Sequence, residues 1–448
     1  MSKIQEINKR IREVVSKEGF QKYFKNTSWL FIEKIIIMGI SFVVGALVAR
    51  YLDTDEMGLL SFSQSLVGFL YIFSELGLNN VLTRDLVNKP EERDRLLGSA
   101  LFLRMLGSVF SWVLVFIILF FSEETRNSTE LIIVLSAGYV FRAFEVIKSE
   151  FEARVESYLL VKLRLIQTLI VGGFKVTMII IGAPLIWFAV AQLLEWAIIA
   201  FWYSHKYQGH IGKVWDWKKD VKLAKRLISD SWPFILSTLA IVVYMRSDQL
   251  MIKYLLGDTE NGYYAVALKL SEMWYFFPAL IIDSLYPAIV NAKNTNEALY
   301  KERMENLLSG MFVLGLLIAI FITIFGPTLL ELIYSSRYNP SKSVLVIHIW
   351  SILFGYLGVA SGKWLLTENL QKYTFYRTIL GAVANVGLNL IWIPKYGING
   401  AAMATLVSQV IAAYIGHLLS PKTWPLFIMV TRTLLGINIV KSIRGFLK

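Results

Sequence analysis

The chain of 448 residues contains no cysteine. That excludes disulfides, thiol nucleophiles and cysteine-ligated zinc. Histidine is nearly as scarce, with four in all. His205 and His210 are five positions apart, on different faces of a helix, and His348 and His417 stand alone. Charged residues make up only 17% of the chain, too few to cover a soluble surface of this size. No Gly-rich phosphate loop and no nucleophile–base constellation can be read from the sequence. The largest polar stretch, 205–228, holds no metal-ligand cluster. The first 25 residues carry Lys3, Lys9, Arg10, Arg12, Lys17, Lys22 and Lys25, without the short apolar core and small-residue cleavage site of a secretory signal. The expectation is therefore a non-enzyme, with no cofactor and no resident metal.

Apolar residues dominate instead: 56% of the chain, with a mean hydropathy of +0.55. They come in runs of about 20, the length that crosses a hydrocarbon core of about 30 Å. Runs so long and continuous are helices rather than barrel strands, which alternate every second residue. The fold class expected is an all-α integral membrane protein. About twelve spans are placed near 26–51, 58–81, 98–121, 131–149, 158–182, 184–204, 229–256, 262–290, 307–325, 341–366, 373–393 and 398–418. A weaker stretch at 424–440, broken by Arg432, is either a short extra span or an in-plane amphipathic helix.

The formal net charge is +12. The basic residues flank the spans, so anionic membrane lipid rather than nucleic acid is the expected partner. Loops placed inside, counted with the N-terminus inside, carry roughly ten times the Lys and Arg of those outside. The outer loops hold little more than Arg126, Arg337 and Lys395. Both termini are then expected to face the cytoplasm, in the cytoplasmic membrane of a bacterium.

The basic stretch 205–228 divides the spans six and six. The expected organisation is a cytoplasmic segment 1–25, an N-lobe 26–204, a linker 205–228, a C-lobe 229–418 and a basic tail 419–448. Shifting the sequence by 204 positions lays LVARYLDTDEMGLLSF (47–62) over MIKYLLGDTENGYYAV (251–266). Leu52 meets Leu256, Glu56 meets Glu260 and Gly58 meets Gly262. Each copy ends the first helix of its half and begins the second. Internal repeats of this kind are a transporter signature. The Asp53-Thr54-Asp55 triplet, which resembles a metal-binding Asp-x-Asp, is not kept in the second copy, so it reads as a loop between helices.

These residues carry a resemblance. RYLDTDEMGLLSF, the segment from Ser247 to Ile289, and NVGLNLIWIPKYGINGAAMATL (385–406) resemble, in order, the polysaccharide transporters of the multidrug/oligosaccharidyl-lipid/polysaccharide (MOP) exporter superfamily, with the Wzx-type O-antigen and capsule repeat-unit flippases as the nearest subgroup. The resemblance implies a MATE-like V of two pseudo-symmetric six-helix lobes around a central cavity. It also implies alternating access that moves an undecaprenyl-diphosphate-linked oligosaccharide from the inner to the outer leaflet, driven by H+ or Na+ or by the membrane potential, beside polysaccharide polymerase machinery. The alternatives are a MATE-like drug or lipid II exporter and, further off, a membrane polymerase.

Charges inside spans are costly and mark either function or pairing. In the seventh span Arg246, Gln249 and Lys253 share a face, with Arg246 suited to a diphosphate through its planar fork. Asp248 is a candidate for ion coupling or for pairing with Arg246 or Lys269. In the eighth, Lys269, Glu272, Phe276, Ala279 and Asp283 recur at three- and four-residue steps. Either they line a cavity, Lys269 and Phe276 towards substrate and Glu272 and Asp283 towards the ion, or they pair within the bundle. Pro278 and Pro287 are expected to kink this helix. Arg142 and Lys175 are further cavity candidates, Lys175 equally a neutralising partner for Glu195. Glu33 is a further coupling candidate. Arg377 and Lys363 are expected to snorkel to the inner face, and Arg84 and Arg104 to act as interfacial anchors.

Overall fold

The computed structural model describes residues 18–122 and 126–437, apart from the side chains of 18–28 and 283. The N-terminal and C-terminal basic residues up to Lys17 and from Lys441 onwards lie outside it. The described residues are helical almost throughout, and eleven helical stretches are long and apolar enough to cross a membrane. They cover eleven of the twelve expected spans.

In chain order, α1 is Glu18–Tyr51, α2 Thr54–Glu75, α3 Leu78–Asn88 and α4 Arg93–Phe121. The fourth expected span is broken into α5 (Arg126–Ser136), α6 (Gly138–Arg142), a 3-10 turn over Ala143–Glu145, and α7 (Val146–Ala153). Next come α8 (Tyr158–Ile180), α9 (Ile186–His210), α10 (Val221–Leu256), α11 (Asp258–Glu272), α12 (Phe276–Thr295) and α13 (Glu297–Tyr334). The chain continues with α14 (Ser341–His348), α15 (Ser351–Thr367), α16 (Gln371–Tyr396), α17 (Ile398–Ala413) and α18 (Trp424–Leu434). With 11 residues, α18 is about 16 Å long, too short to cross, and it packs against α13.

The break in the fourth span has a visible cause on α4. Arg104, Ser108 and Trp112 stand at four-residue steps, one stripe of a helix. Arg104 donates to the carbonyl of Arg142 at 3.3 Å, Ser108 to that of Tyr139 at 3.2 Å, and Trp112 Nε1 to that of Ser136 at 2.8 Å. Side-chain donors thus compete for carbonyls that a regular helix would satisfy itself, and interruptions accompany such insertions. Gly138 adds a close approach, since a Cβ there would collide with the ring of Trp196 on α9.

The helices group into two compact units. Unit 1 holds the chain to Val48 and Leu70–Leu236; unit 2 holds Ala49–Phe69 and the chain from Ser237. In unit 1 the 205–228 segment is stitched down. Lys218 N donates to Asp94 O at 3.1 Å, next to Gly98, where a Cβ would meet the Lys218 backbone at 2.6 Å. Asp220 caps α10 by accepting from Lys222 N at 2.8 Å and Leu223 N at 3.2 Å, and it pairs with Arg95. That pairing, with the capping bonds, holds its carboxyl below the usual range. Leu78, Leu82, Leu97, Ile147, Phe151 and Tyr207 form part of an apolar core beneath.

In unit 2 the two repeat copies touch each other. A Cβ on Gly58 would collide with the Asp258 carbonyl and lie 2.8 Å from Gly262 N; one on Gly262 would collide with the Thr54 carbonyl and lie 3.2 Å from Gly58 N. Thr54 and Asp258 are themselves 204 positions apart. Thr259 Oγ1 donates to its own repeat mate, Asp55, and Asn261 Nδ2 to Gly58 O at 2.8 Å. Reciprocal contacts between equivalent positions are those of a local two-fold. Asp53 accepts from Glu56 N at 2.8 Å and so caps α2. The Asp-x-Asp triplet is thus a helix cap and a contact between repeats.

Candidate functional site

Asp248 lies in the interior of α10 at 3% exposure. Its carboxylate accepts from Asn389 Nδ2 at 2.5 Å, from Tyr264 OH at 2.7 Å, and from the Thr405 hydroxyl. Asn389 Nδ2 also donates to Asn385 Oδ1 at 3.1 Å, and Asn385 accepts from Ser247 at 2.8 Å. Four elements, α10, α11, α16 and α17, therefore converge on one carboxylate. These partners are neutral, so Asp248 is not the ion-pair partner of Arg246 or Lys269 that its spacing allowed. Asn389 Oδ1 is buried without a hydrogen-bond partner. The groups facing the carboxylate are N–H and O–H donors, and a carboxylate buried in a helix bundle is a candidate site for a proton or a coupling ion.

Asp248 also lines a cavity of about 380 Å³ within unit 2. Glu272, Tyr244, Tyr275, His348, Gln409 and Arg377 share that lining. Glu272 lies within electrostatic reach of Arg246. Among the described residues of the predicted α11–α12 stripe, Glu272 alone reaches the cavity. A 3-10 turn over Met273–Tyr275 interrupts the helix after Glu272 and rotates α12 relative to α11. Phe276 packs edge-on against Phe277 at 5.7 Å instead, and Lys269 is not in the lining. Pro278 is the third residue of α12, where a proline is tolerated, whereas Pro287 lies inside it. The side chain of Asp283 lies outside the described residues.

Several other candidates have partners within their own unit. Glu33, 4% exposed, forms an ion pair with Arg164 and accepts from one of its terminal nitrogens at 2.7 Å. Gln249 accepts from Ser65 and fastens α2 to α10. Lys253 pairs with Asp258 at 2.6 Å across the α10–α11 turn and lies 5.6 Å from the Phe62 ring. Two of the three residues of the Arg246, Gln249 and Lys253 stripe thus have side-chain partners in unit 2. Lys175 lies within electrostatic reach of Glu195.

Arg142 stacks 3.2 Å over Tyr71, lies 5.4 Å from Trp196, and pairs with Glu145 at 3.5 Å. Glu145 also faces Arg104 at 3.9 Å and accepts from Tyr71 OH at 3.0 Å. Arg104, expected at the interface, is 1% exposed and reaches Asn79 at 2.5 Å. These groups form a buried network in unit 1, and Glu75 adds a second carboxylate near Arg142. Arg84, the other expected anchor, pairs with Asp85 and with Asp230 at 3.0 Å.

The least expected placement is Arg377. Its position near the start of α16 suggested snorkelling, yet it is 7% exposed and turned into unit 2. Lys363 lies 4.9 Å from the Tyr286 ring. Among the residues the sequence did not single out, Arg164, Tyr264 and Thr405 carry the most. Thr405 lies in the NVGLNLIWIPKYGINGAAMATL motif, which was the available signal.

The family model described as polysaccharide biosynthesis protein matches residues 23–293, and that of the lipid II flippase MurJ matches 267–441. The chain is 23% identical over 395 residues to the probable low-salt glycan biosynthesis flippase Agl15 of Haloferax volcanii, covering 85% of this chain and 79% of that protein. It is 19% identical to the capsular polysaccharide biosynthesis protein CapF of Staphylococcus aureus, covering 87% and 96%. In fold it is similar to an inward-facing MATE-family multidrug resistance transporter, with a TM-score of 0.70 at 14% identity over 90% of this chain and 95% of that one. It is similarly close to MurJ in an inward closed conformation, with a TM-score of 0.69 at 15% identity over 93% and 92%.

Proposed function

The chain belongs to the polysaccharide biosynthesis protein family of the MOP exporter superfamily, and from that premise we propose that it is a flippase for lipid-linked glycans. Its substrate is a polyprenyl-diphosphate-linked oligosaccharide, undecaprenyl in a bacterium. It carries this from the inner to the outer leaflet of the cytoplasmic membrane for assembly of a surface polysaccharide such as O-antigen or capsule, where a polymerase receives it. The protein works as a transporter rather than an enzyme. The observation that carries the reading is the family match across more than half the chain, supported by two glycan-pathway relatives that align over most of their length.

The geometry supports a coupled mechanism. Keeping Asp248 ionised in the interior costs several kcal/mol unless a cation or proton joins it. Loading that site changes the charge held between α10, α11, α16 and α17, and a charge change inside a helix bundle biases between two packings. The ion gradient supplies the driving force; a cation at the carboxylate would take Asn389 Oδ1, which has no hydrogen-bond partner, once that amide turns from the nitrogen-first orientation it now holds. Arg246, close to Glu272, is the candidate of the seventh span that remains for the diphosphate. Both termini face the cytoplasm in this reading, and anionic inner-leaflet lipid holds the basic loops.

The test tracks a radiolabelled or fluorescent lipid-linked glycan across reconstituted vesicles under imposed H+ or Na+ gradients. Gradient-dependent exposure on the far side is expected, and Asp248→Asn should lower the gradient-driven rate at least tenfold while the protein still inserts. Movement of drug cations with no movement of the glycolipid would overturn the reading. An unchanged gradient response in Asp248→Asn would remove Asp248 from coupling.

A further inference from the structure

Arg377 sits at the opposite end of the unit 2 cavity from Asp248. Asn389, which holds Asp248, is twelve positions further along α16, about 18 Å at 1.5 Å per residue. The guanidinium donates to Gly358 O at 2.7 Å. It lies against a glycine face of α15: a Cβ on Gly358 would come 3.9 Å from one terminal nitrogen and a Cβ on Gly362 3.6 Å from the other. The Nε is buried without a hydrogen-bond partner. Among the described residues no carboxylate forms an ion pair with Arg377, and the titratable group beside it is the imidazole of His417, itself buried. A buried guanidinium without a counter-ion is expensive, and sequence position gave it the option of reaching water.

The rest of the lining is mostly apolar, with Ile241, Met245, Leu268 and Val359 among it, and carries a few groups of the kind that receive a sugar. Tyr244 and Tyr275 offer aromatic faces, and Gln409, Thr374 and Thr378 offer polar groups near the Arg377 end. The volume of about 380 Å³ falls in the range of small-molecule sites, roughly 300–1,000 Å³. Glu272 and Asp248 also line the cavity, towards its other end, where a carboxylate accepts from sugar hydroxyls but repels an anion. An anionic ligand therefore has one orientation available, with its acid on Arg377.

We propose that this cavity binds an acidic sugar residue of the transported glycan, its carboxylate forked onto Arg377 and its ring between Tyr244 and Tyr275. The inference rests on the flippase reading and adds that the protein selects for acid in the glycan itself, apart from the diphosphate that every such lipid carries. Because a guanidinium pairs with a carboxylate through two parallel bonds, a neutral sugar forfeits the interaction that offsets the buried charge.

The experiment uses the full chain in vesicles with one lipid-linked glycan containing a uronic acid, before and after chemical reduction of its carboxyl to the alcohol. The unmodified protein is expected to move the acidic form at least tenfold faster than the reduced form. Arg377→Gln should remove that preference, with Arg377→Lys intermediate. Equal transport of both forms by the unmodified protein would overturn the acidic-sugar site and leave the flippase reading standing; this arm needs no variant to fold. Movement of neither form would overturn both. An Arg377→Gln variant that slows both forms equally would also overturn it, placing the guanidinium on the shared diphosphate.

Discussion

At the scale of single residues, periodicity gives the face a charge occupies but not the neighbour it meets there. Glu33 illustrates this: its partner Arg164 is 131 positions away, and no spacing rule connects them. The pair is largely buried, with side-chain exposures of 5% and 20%. Breaking such a pair strands a charge and costs about 3–5 kcal/mol. Glu33→Gln is therefore expected to lower thermal stability sharply, while the double change with Arg164→Gln recovers part of the loss. Gradient dependence of transport should be retained in the protein that survives. Thermal unfolding in detergent with transport on the same preparations checks this. A stable Glu33→Gln protein that has lost its ion response would restore Glu33 as a coupling group. Arg377 shows the same limit in reverse. Its depth was legible, but the glycine face of α15 that draws it inward was not.

At the scale of elements, hydropathy located the spans because each had to be long and apolar by itself. Where a helix departs from regularity the cause lies on a neighbour, and single-sequence reading missed it. The α4 stripe of Arg104, Ser108 and Trp112 breaks the fourth span, and the turn after Glu272 rotates Phe276 off the expected face. The repeat was legible, because a shift of 204 positions aligns glycines as well as charges. The structure adds the reason for the glycines: Gly58 and Gly262 lie against each other's backbones. Alanine at either position meets main chain that must move, a strain of about 1–3 kcal/mol in comparable overpacked sites. The two contacts are reciprocal, so Gly58→Ala and Gly262→Ala should destabilise by similar amounts. Their double variant should cost less than the sum, since one displacement relieves both. Melting temperatures of the three variants test this, and a single variant that leaves stability unchanged refutes the paired contact.

At the scale of the whole molecule, the absence of cysteine becomes an experimental asset, because any introduced thiol reports alone. Topology depends on the broken stretch from Arg126 to Ala153. Its 28 residues, counted from the helix bounds, rise about 40 Å if its pieces stack end to end, enough to cross. Among the described residues eleven other helical stretches are long and apolar enough to cross, so this stretch decides whether the total is even and the termini share a side. Charge bias argues that it crosses, since Asn127 and Arg337 then both fall in loops poor in Lys and Arg, opposite the linker around Lys219. Single cysteines at Asn127 and Arg337 are expected to react with a membrane-impermeant maleimide on intact cells. Cysteines at Lys219 and Lys301 should react only after permeabilisation. Labelling of Asn127 and Lys219 from the same side would mean that the interrupted helix does not cross, and the six-and-six division inferred from the linker would fail with it.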